Sequence, residues 1–110
     1  MGKFVCTKRS NGEYQFNLNA SNGQTILTSE GYKAKSGCAN GIASVKKNAA
    51  DDSKYERKTA SNGKSYFVLK ATNGQIIGTS QMYADASGCE KGIASVKSNA
   101  ADAAVEELAD

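Results

Sequence analysis

The sequence predicts an α+β fold: tandem β-β-β-α repeats forming a single antiparallel sheet, with two helices packed on one face and a pseudo-twofold axis relating the halves. Three observations carry this expectation. The phrase Gly-Ile-Ala-Ser-Val-Lys stands at residues 41–46 and again at 92–97, an offset of 51 residues that holds through both halves without a gap. Ahead of each phrase, short stretches alternate apolar and polar residues, as strands with one covered face do. Asn-Gly pairs separate those stretches, and these residues tolerate the positive φ of a tight turn.

Lys3–Lys8 is the first predicted strand, with Phe4 and Cys6 on one face and Val5 and Thr7 on the other. After the turn at Ser10-Asn11-Gly12, residues 14–20 alternate strictly: Tyr14, Phe16, Leu18 and Ala20 against Gln15, Asn17 and Asn19. A second turn at Ser21-Asn22-Gly23 leads into a return strand over 25–29, where alternation assigns Ile26 and Thr28 to one face and Leu27 to the other. A loop holding Tyr32 precedes the helix, for which Ser36 is the expected N-cap. Cys38, Ile42, Val45 and Ala49 recur at helical spacing and form one apolar stripe. Lys46 and Lys47 suit the negative end of the helix dipole. Asn48 is the expected terminator in left-handed conformation, with residues 51–53 as the exit.

The second copy repeats this order. Residues 55–58 and 66–71 are strands, with Phe67, Leu69 and Ala71 in the places of Phe16, Leu18 and Ala20. Turns fall at Ser61-Asn62-Gly63 and Thr72-Asn73-Gly74, and Ile77, Thr79 and Tyr83 match Ile26, Thr28 and Tyr32. Ser87 and Glu90 have capping-box spacing, and Cys89, Ile93, Val96 and Ala100 make the second stripe. Residues 102–110, with Val105 and Leu108, favour helix by composition, but their repeat position matches 53–57, which predicts a short closing strand. The chain is expected to be one domain, 1–110, made of repeats 1–51 and 52–110. Units of this size are marginal alone, so a shared core is expected.

Net charge is +3, too small to imply a nucleic-acid or membrane partner by itself. The halves differ: residues 1–50 carry seven Lys/Arg against Glu13 and Glu30 (+5), and residues 51–110 carry seven against nine Asp/Glu (−2). The basic half offers Lys33, Lys35, Lys46 and Lys47 as candidate nucleic-acid contacts, with Tyr14 and Tyr66 as candidate stacking rings. The chain has no His, Trp or Pro, so a Cys–His nucleophile is excluded. Cys6, Cys38 and Cys89 are too few and too scattered for a disulfide framework or a zinc site. Cys38 and Cys89 lie on the apolar stripes, where a thiol acts as a small hydrophobe, with a redox or disulfide role as the alternative. No leader peptide and no apolar run of membrane-spanning length is visible, so a cytoplasmic protein is expected. Gly37 and Gly88 stand at the helix starts and are candidate anion-binding positions, although no phosphate-binding glycine motif is present. Gly41 and Gly92 recur inside the helices, where glycine costs roughly 1 kcal/mol, and imply either close helix–sheet contact or a backbone conformation at the helix start that a Cβ would disturb. Residues repeated in both copies point to architecture, since catalysis needs only one; a pseudo-symmetric ligand site is the exception. The sheet's outer face, with Val5, Leu27, Tyr66, Val68 and Ile76, is a candidate contact surface.

The run from Tyr14 to Gly23, then Tyr32, Gly41–Lys46 and Asn48-Ala49, resembles the YegP-like family of small bacterial proteins. The second copy matches at Phe67, Leu69, Ala71, Asn73-Gly74, Tyr83, Gly92–Lys97 and Asn99-Ala100. The resemblance implies a tandem β3-α-β arrangement in one sheet, with single-copy relatives assembling as homodimers, and it implies no known activity. The expected protein is an uncharacterised, non-enzymatic interaction or structural module without cofactor or metal, a monomer or homodimer with an unknown protein partner. Nucleic-acid binding through the lysines and anion binding at Gly37 and Gly88 are the alternatives.

Overall fold

The computed structural model describes residues 2–107. Its elements are β1 (Lys3–Lys8), β2 (Tyr14–Asn19), β3 (Thr25–Thr28), α1 (Lys35–Asn48), a 3-10 turn (Asp52–Lys54), β4 (Tyr55–Thr59), β5 (Ser65–Lys70), β6 (Ile76–Thr79), α2 (Ala86–Ala100) and β7 (Ala104–Glu107). All strands join one sheet in the order β4-β5-β6-β3-β2-β1-β7. The two meanders meet through the pair Thr28↔Thr79, residues separated by the repeat offset of 51, so the pseudo-twofold axis passes between β3 and β6. All four Asn-Gly turns form. Gly12, Gly23, Gly63 and Gly74 have φ of 88, 86, 85 and 85°. Each preceding Asn side chain accepts the N–H two residues on.

The predicted closing strand is β7, and it pairs parallel with β1, from Lys3↔Ala104 to Cys6↔Glu107. The expectation of a purely antiparallel sheet is corrected at this edge. The pseudo-twofold that relates α1 to α2 carries β4 onto β1. β7 leaves α2 as β4 leaves α1, so it runs in the direction of β1 and lies beside it. β4 is both the exit strand of the first copy and the first strand of the second, and among the described residues its outer edge has no partner strand. Leu108, expected to belong to the closing segment, lies outside the described residues.

Both helices cover the face carrying Phe16 and Phe67, and both apolar stripes are buried in one continuous core. α1 packs on β2 but also on β5 and β6, and α2 packs on β5 and β3. Each helix thus spans the seam, which is how two marginal halves share one interior.

Alternation misassigned Leu27. The β2–β3 register shifts between Leu18 and Asn19, pairing Leu18 with Leu27 and Asn19 with Thr25. This bulge makes Ile26 the extra residue, so Ile26 (4% exposed) and Leu27 (0%) both enter the core. The counterpart of Leu27 is Gly78, and a Cβ there would lie 2.7 Å from Leu27 Cγ. One large and one absent side chain fill the space beside the axis, where two leucines would collide.

The caps also differ from expectation. The N-caps are Ala34 and Asp85 rather than Ser36 and Ser87, and Asp85 Oδ1 accepts from the Gly88 N–H. Glu90 takes no part in a capping box; it reaches out to Arg57. Asn48 does not adopt left-handed conformation, for among the described residues only glycines have positive φ. It stays helical, donates to Ser44 O at 2.8 Å, and accepts from Thr72 Oγ1 of the other copy at 3.3 Å, so its amide stitches the seam.

Candidate functional site

The four candidate lysines do not converge. Lys33 and Lys35 are exposed at the start of α1, and Lys46 and Lys47 occupy its last turn. At 1.5 Å per residue, Lys35 and Lys46 stand about 17 Å apart along the helix. Lys46 Nζ turns instead onto the Phe4 ring, 5.9 Å from its centroid. The candidate anion positions are already engaged. The Gly88 N–H donates to Asp85 Oδ1 at 2.8 Å and the Gly37 N–H to Ala34 O at 3.0 Å. An anion at Gly88 would face the Asp85 carboxylate.

The repeated glycines inside the helices are explained by Tyr32 and Tyr83. The loop before each helix is fastened to its sheet by the bridges Tyr14↔Tyr32 and Ser65↔Tyr83. The tyrosine rings stack on Phe16 and Phe67, with centroids 6.4 Å apart in both copies. Their hydroxyls then cross the helix where only glycine leaves room. A Cβ on Gly41 would lie 2.5 Å from Tyr32 Oη, and one on Gly92 would overlap Tyr83 Oη. Burial, followed by the nearby Cys38 and Glu30, pushes the Tyr32 phenol above its ordinary pKa.

Beside each ring a groove opens between the helix of one copy and the β-turn of the other. The first, of about 470 Å³, sets Tyr32, Gly37, Gly41 and Ser44 against Ala71, Asn73, Gln75 and Ile77. The second, of about 270 Å³, sets Tyr83, Gly88, Gly92 and Ser95 against Ala20, Asn22, Gln24 and Ile26. These positions correspond one to one under the repeat offset and are identical in residue type. The grooves differ where the first has Glu30 and Asn40 and the second has Gln81 and Lys91. Gln24 and Gln75 are exposed, and Tyr83 Oη is buried with no hydrogen-bond partner among the described residues. The repeated Gln-bearing turns were visible in the sequence, but only the fold shows that each turn faces the opposite copy's helix.

A second cluster fastens β4 to α2. Arg57 meets Glu90 at 2.7 and 3.0 Å and Asp52 at 3.0 Å, and Lys97 Nζ donates to Asp52 Oδ1 at 2.9 Å. Hydrogen bonds from Lys97 and Arg57 hold the Asp52 carboxyl down at about 2, and Arg57 lowers that of Glu90. Arg57 is the counterpart of Cys6. In the first copy Cys6 Sγ instead meets Cys38 Sγ at 3.2 Å. Cys89 has no such thiol neighbour, and burial raises its pKa. Among the described residues no group of three or more Cys, Asp or Glu is placed to hold a metal ion, and no helix is long and apolar enough to cross a membrane.

A single sheet of two fused β-β-β-α units, covered on one face by two helices, defines a tandem-repeat α+β module with equivalent grooves at its seam. The family model described as "Domain of unknown function (DUF1508)" matches the chain twice, over residues 10–56 and 60–107, and the chain belongs to that family. The UPF0339 protein YegP of Escherichia coli K12 is 54% identical over 106 residues, covering 96% of each chain. A UPF0339 protein from the ptx operon 5′ region of Stutzerimonas stutzeri is 55% identical over 97% of this chain and 96% of its own. Two solution NMR structures share the fold with a TM-score of 0.92. One is a UPF0339 protein of Shewanella oneidensis, 46% identical over 97% of this chain and 91% of its own. The other is E. coli yegP, described as a protein of unknown function, 54% identical over 96% and 91%. The resemblance read from the repeated Phe, Leu, Ala, Asn-Gly and helix residues is thereby met, and its relatives are bacterial proteins without an assigned activity.

Proposed function

We propose that the protein is a non-catalytic interaction module that engages a protein partner through its two equivalent grooves. The observation that carries this reading is the matched lining of the two grooves, eight positions identical in residue type with walls drawn from opposite copies. Gln24 and Gln75, exposed at matching places, add side-chain amides able to bond a polypeptide backbone. The non-catalytic part is supported by the Asp52 and Glu90 carboxylates, both held by cations rather than free for proton transfer.

The test is quantitative affinity capture from a bacterial host with the wild type, Tyr83→Phe and Gln24→Ala/Gln75→Ala. Tyr83→Phe removes a hydroxyl that bonds nothing internally, so it should leave the melting temperature unchanged or slightly higher. Partners recovered by the wild type should fall at least several-fold with the double glutamine variant and be kept by Tyr83→Phe, whose missing hydroxyl faces no solvent. Partners held equally by all three proteins would reject the grooves as the contact surface.

A further inference from the structure

We propose that Cys6 and Cys38 are a thiol modification site that closes reversibly to an intramolecular disulfide. The two sulfurs come from different elements, β1 and α1, and stand 3.2 Å apart. A disulfide requires about 2.05 Å, so the two sulfurs must approach by about 1 Å. β1 is held on both sides, by β2 at Cys6↔Phe16 and by β7 at Cys6↔Glu107, so its backbone keeps Cys6 at the contact. Cys6 is 7% exposed and Cys38 1%, which makes Cys6 the sulfur that a small oxidant reaches first.

The second copy provides the internal comparison. Cys89 occupies the place of Cys38, but Arg57 stands where Cys6 would be, and Arg57 bonds Glu90 at 2.7 Å across the strand–helix junction. Glu90 in turn stands where the first copy has Ala39. Both junctions are therefore bridged, one by an ion pair and the other by two thiols, and packing alone does not require the second thiol. With hydrogen peroxide as oxidant, the Cys6 thiol attacks the peroxide O–O bond, giving the sulfenic acid and one water. Cys38 then attacks Cys6 Sγ, the S–S bond forms, and the sulfenic hydroxyl leaves with the Cys38 proton as a second water. Two thiols and one peroxide thus become one disulfide and two waters. In a reducing compartment such bonds are transient and serve redox sensing rather than structure. The proposal stands independently of the grooves.

The experiment treats the reduced full-length chain with hydrogen peroxide and counts thiols after denaturation. The three thiols of the reduced chain should fall to one. The intact mass should drop by two hydrogens, a non-reducing peptide map should link the Cys6 and Cys38 peptides, and dithiothreitol should restore all three thiols. The oxidised protein should melt at higher temperature, and Cys89→Ser should cross-link like the wild type. Three thiols still titrating, Cys6 carried to the sulfinic acid with Cys38 free, or linkage through Cys89 between chains would each overturn the proposal. Cys6→Ser and Cys38→Ser should abolish the link; the wild-type peptide map decides the matter even if these core variants fold poorly.

Discussion

Replacing Gly78 by alanine should destabilise the protein, although alanine is the better strand residue by roughly 0.5–1 kcal/mol. The added Cβ would lie 2.7, 2.8 and 3.0 Å from Leu27 Cγ, Cδ2 and Cδ1. Leu27 is fully buried, in an interior where close packing resists displacement. Overpacking of this kind costs about 1–3 kcal/mol, so the net loss should be on the order of 1 kcal/mol. Leu27→Ala alone should cost about 3–4 kcal/mol through lost burial and a cavity beside Gly78. In the Leu27→Ala background the sign should reverse: Gly78→Ala then fills empty space, keeps its strand advantage, and stabilises. Guanidinium unfolding followed by far-UV circular dichroism closes the double-mutant cycle. Additivity of the two substitutions within about 0.5 kcal/mol, or a stabilising Gly78→Ala in the wild type, would refute the argument that one leucine fills both halves' share of the seam.

Ala34 has the extended φ of −133° and ψ of 154° that an N-cap needs but no side chain to accept a bond, while its counterpart Asp85 has one. Ala34→Asp should therefore raise stability by about 0.5–2 kcal/mol, read as a higher denaturant midpoint; an unchanged midpoint would remove the capping argument. The folded-state pKa of Asp52 lies at about 2, below its ordinary 3.8, and that of Glu90 is also lowered. Groups lowered in the folded state contribute stability that is present above their ordinary pKa and is lost as pH falls through the folded value. The thermal midpoint should thus decline from about pH 4 to about pH 2. Both carboxylates are exposed and screened, so the decline should be modest, and Asp52→Asn should flatten it. An identical acid profile for that variant would show the cluster to be inert.

Much of the fold was legible because repetition checks every local reading twice. Phe16 and Phe67, Ile42 and Ile93, or Asn22 and Asn73 each support one another, and strict alternation around Asn-Gly turns has few other solutions. Leu27 was misplaced because a bulge changes the alternation phase without leaving any residue signature. Ser36 is a better N-cap residue than Ala34, and Ser87 ranks with Asp85, so local propensity does not locate either cap; the geometry of the incoming loop does. The grooves were hidden for a different reason. Their two walls belong to different copies, so no local pattern links Gln75 to Tyr32 or Gln24 to Tyr83. The Cys6–Cys38 contact depends on how far α1 slides along β1, and helix-on-sheet position is set by the whole core.

The pairing of Lys3 with Ala104 spans 101 positions of the chain. At a synthesis rate of about 5–20 residues per second, β1 exists for roughly 5–20 seconds before β7 can cover it. During that interval its outer edge is an unpaired strand carrying Phe4, Val5 and Cys6, of the kind that recruits other chains. β4, its symmetry mate, keeps an uncovered edge in the finished fold and carries Glu56, Arg57 and Lys58 in a strand of the same ancestry. The β4 edge is guarded by charge along its length, whereas the β1 edge, with charge only at its ends, depends on the arrival of β7.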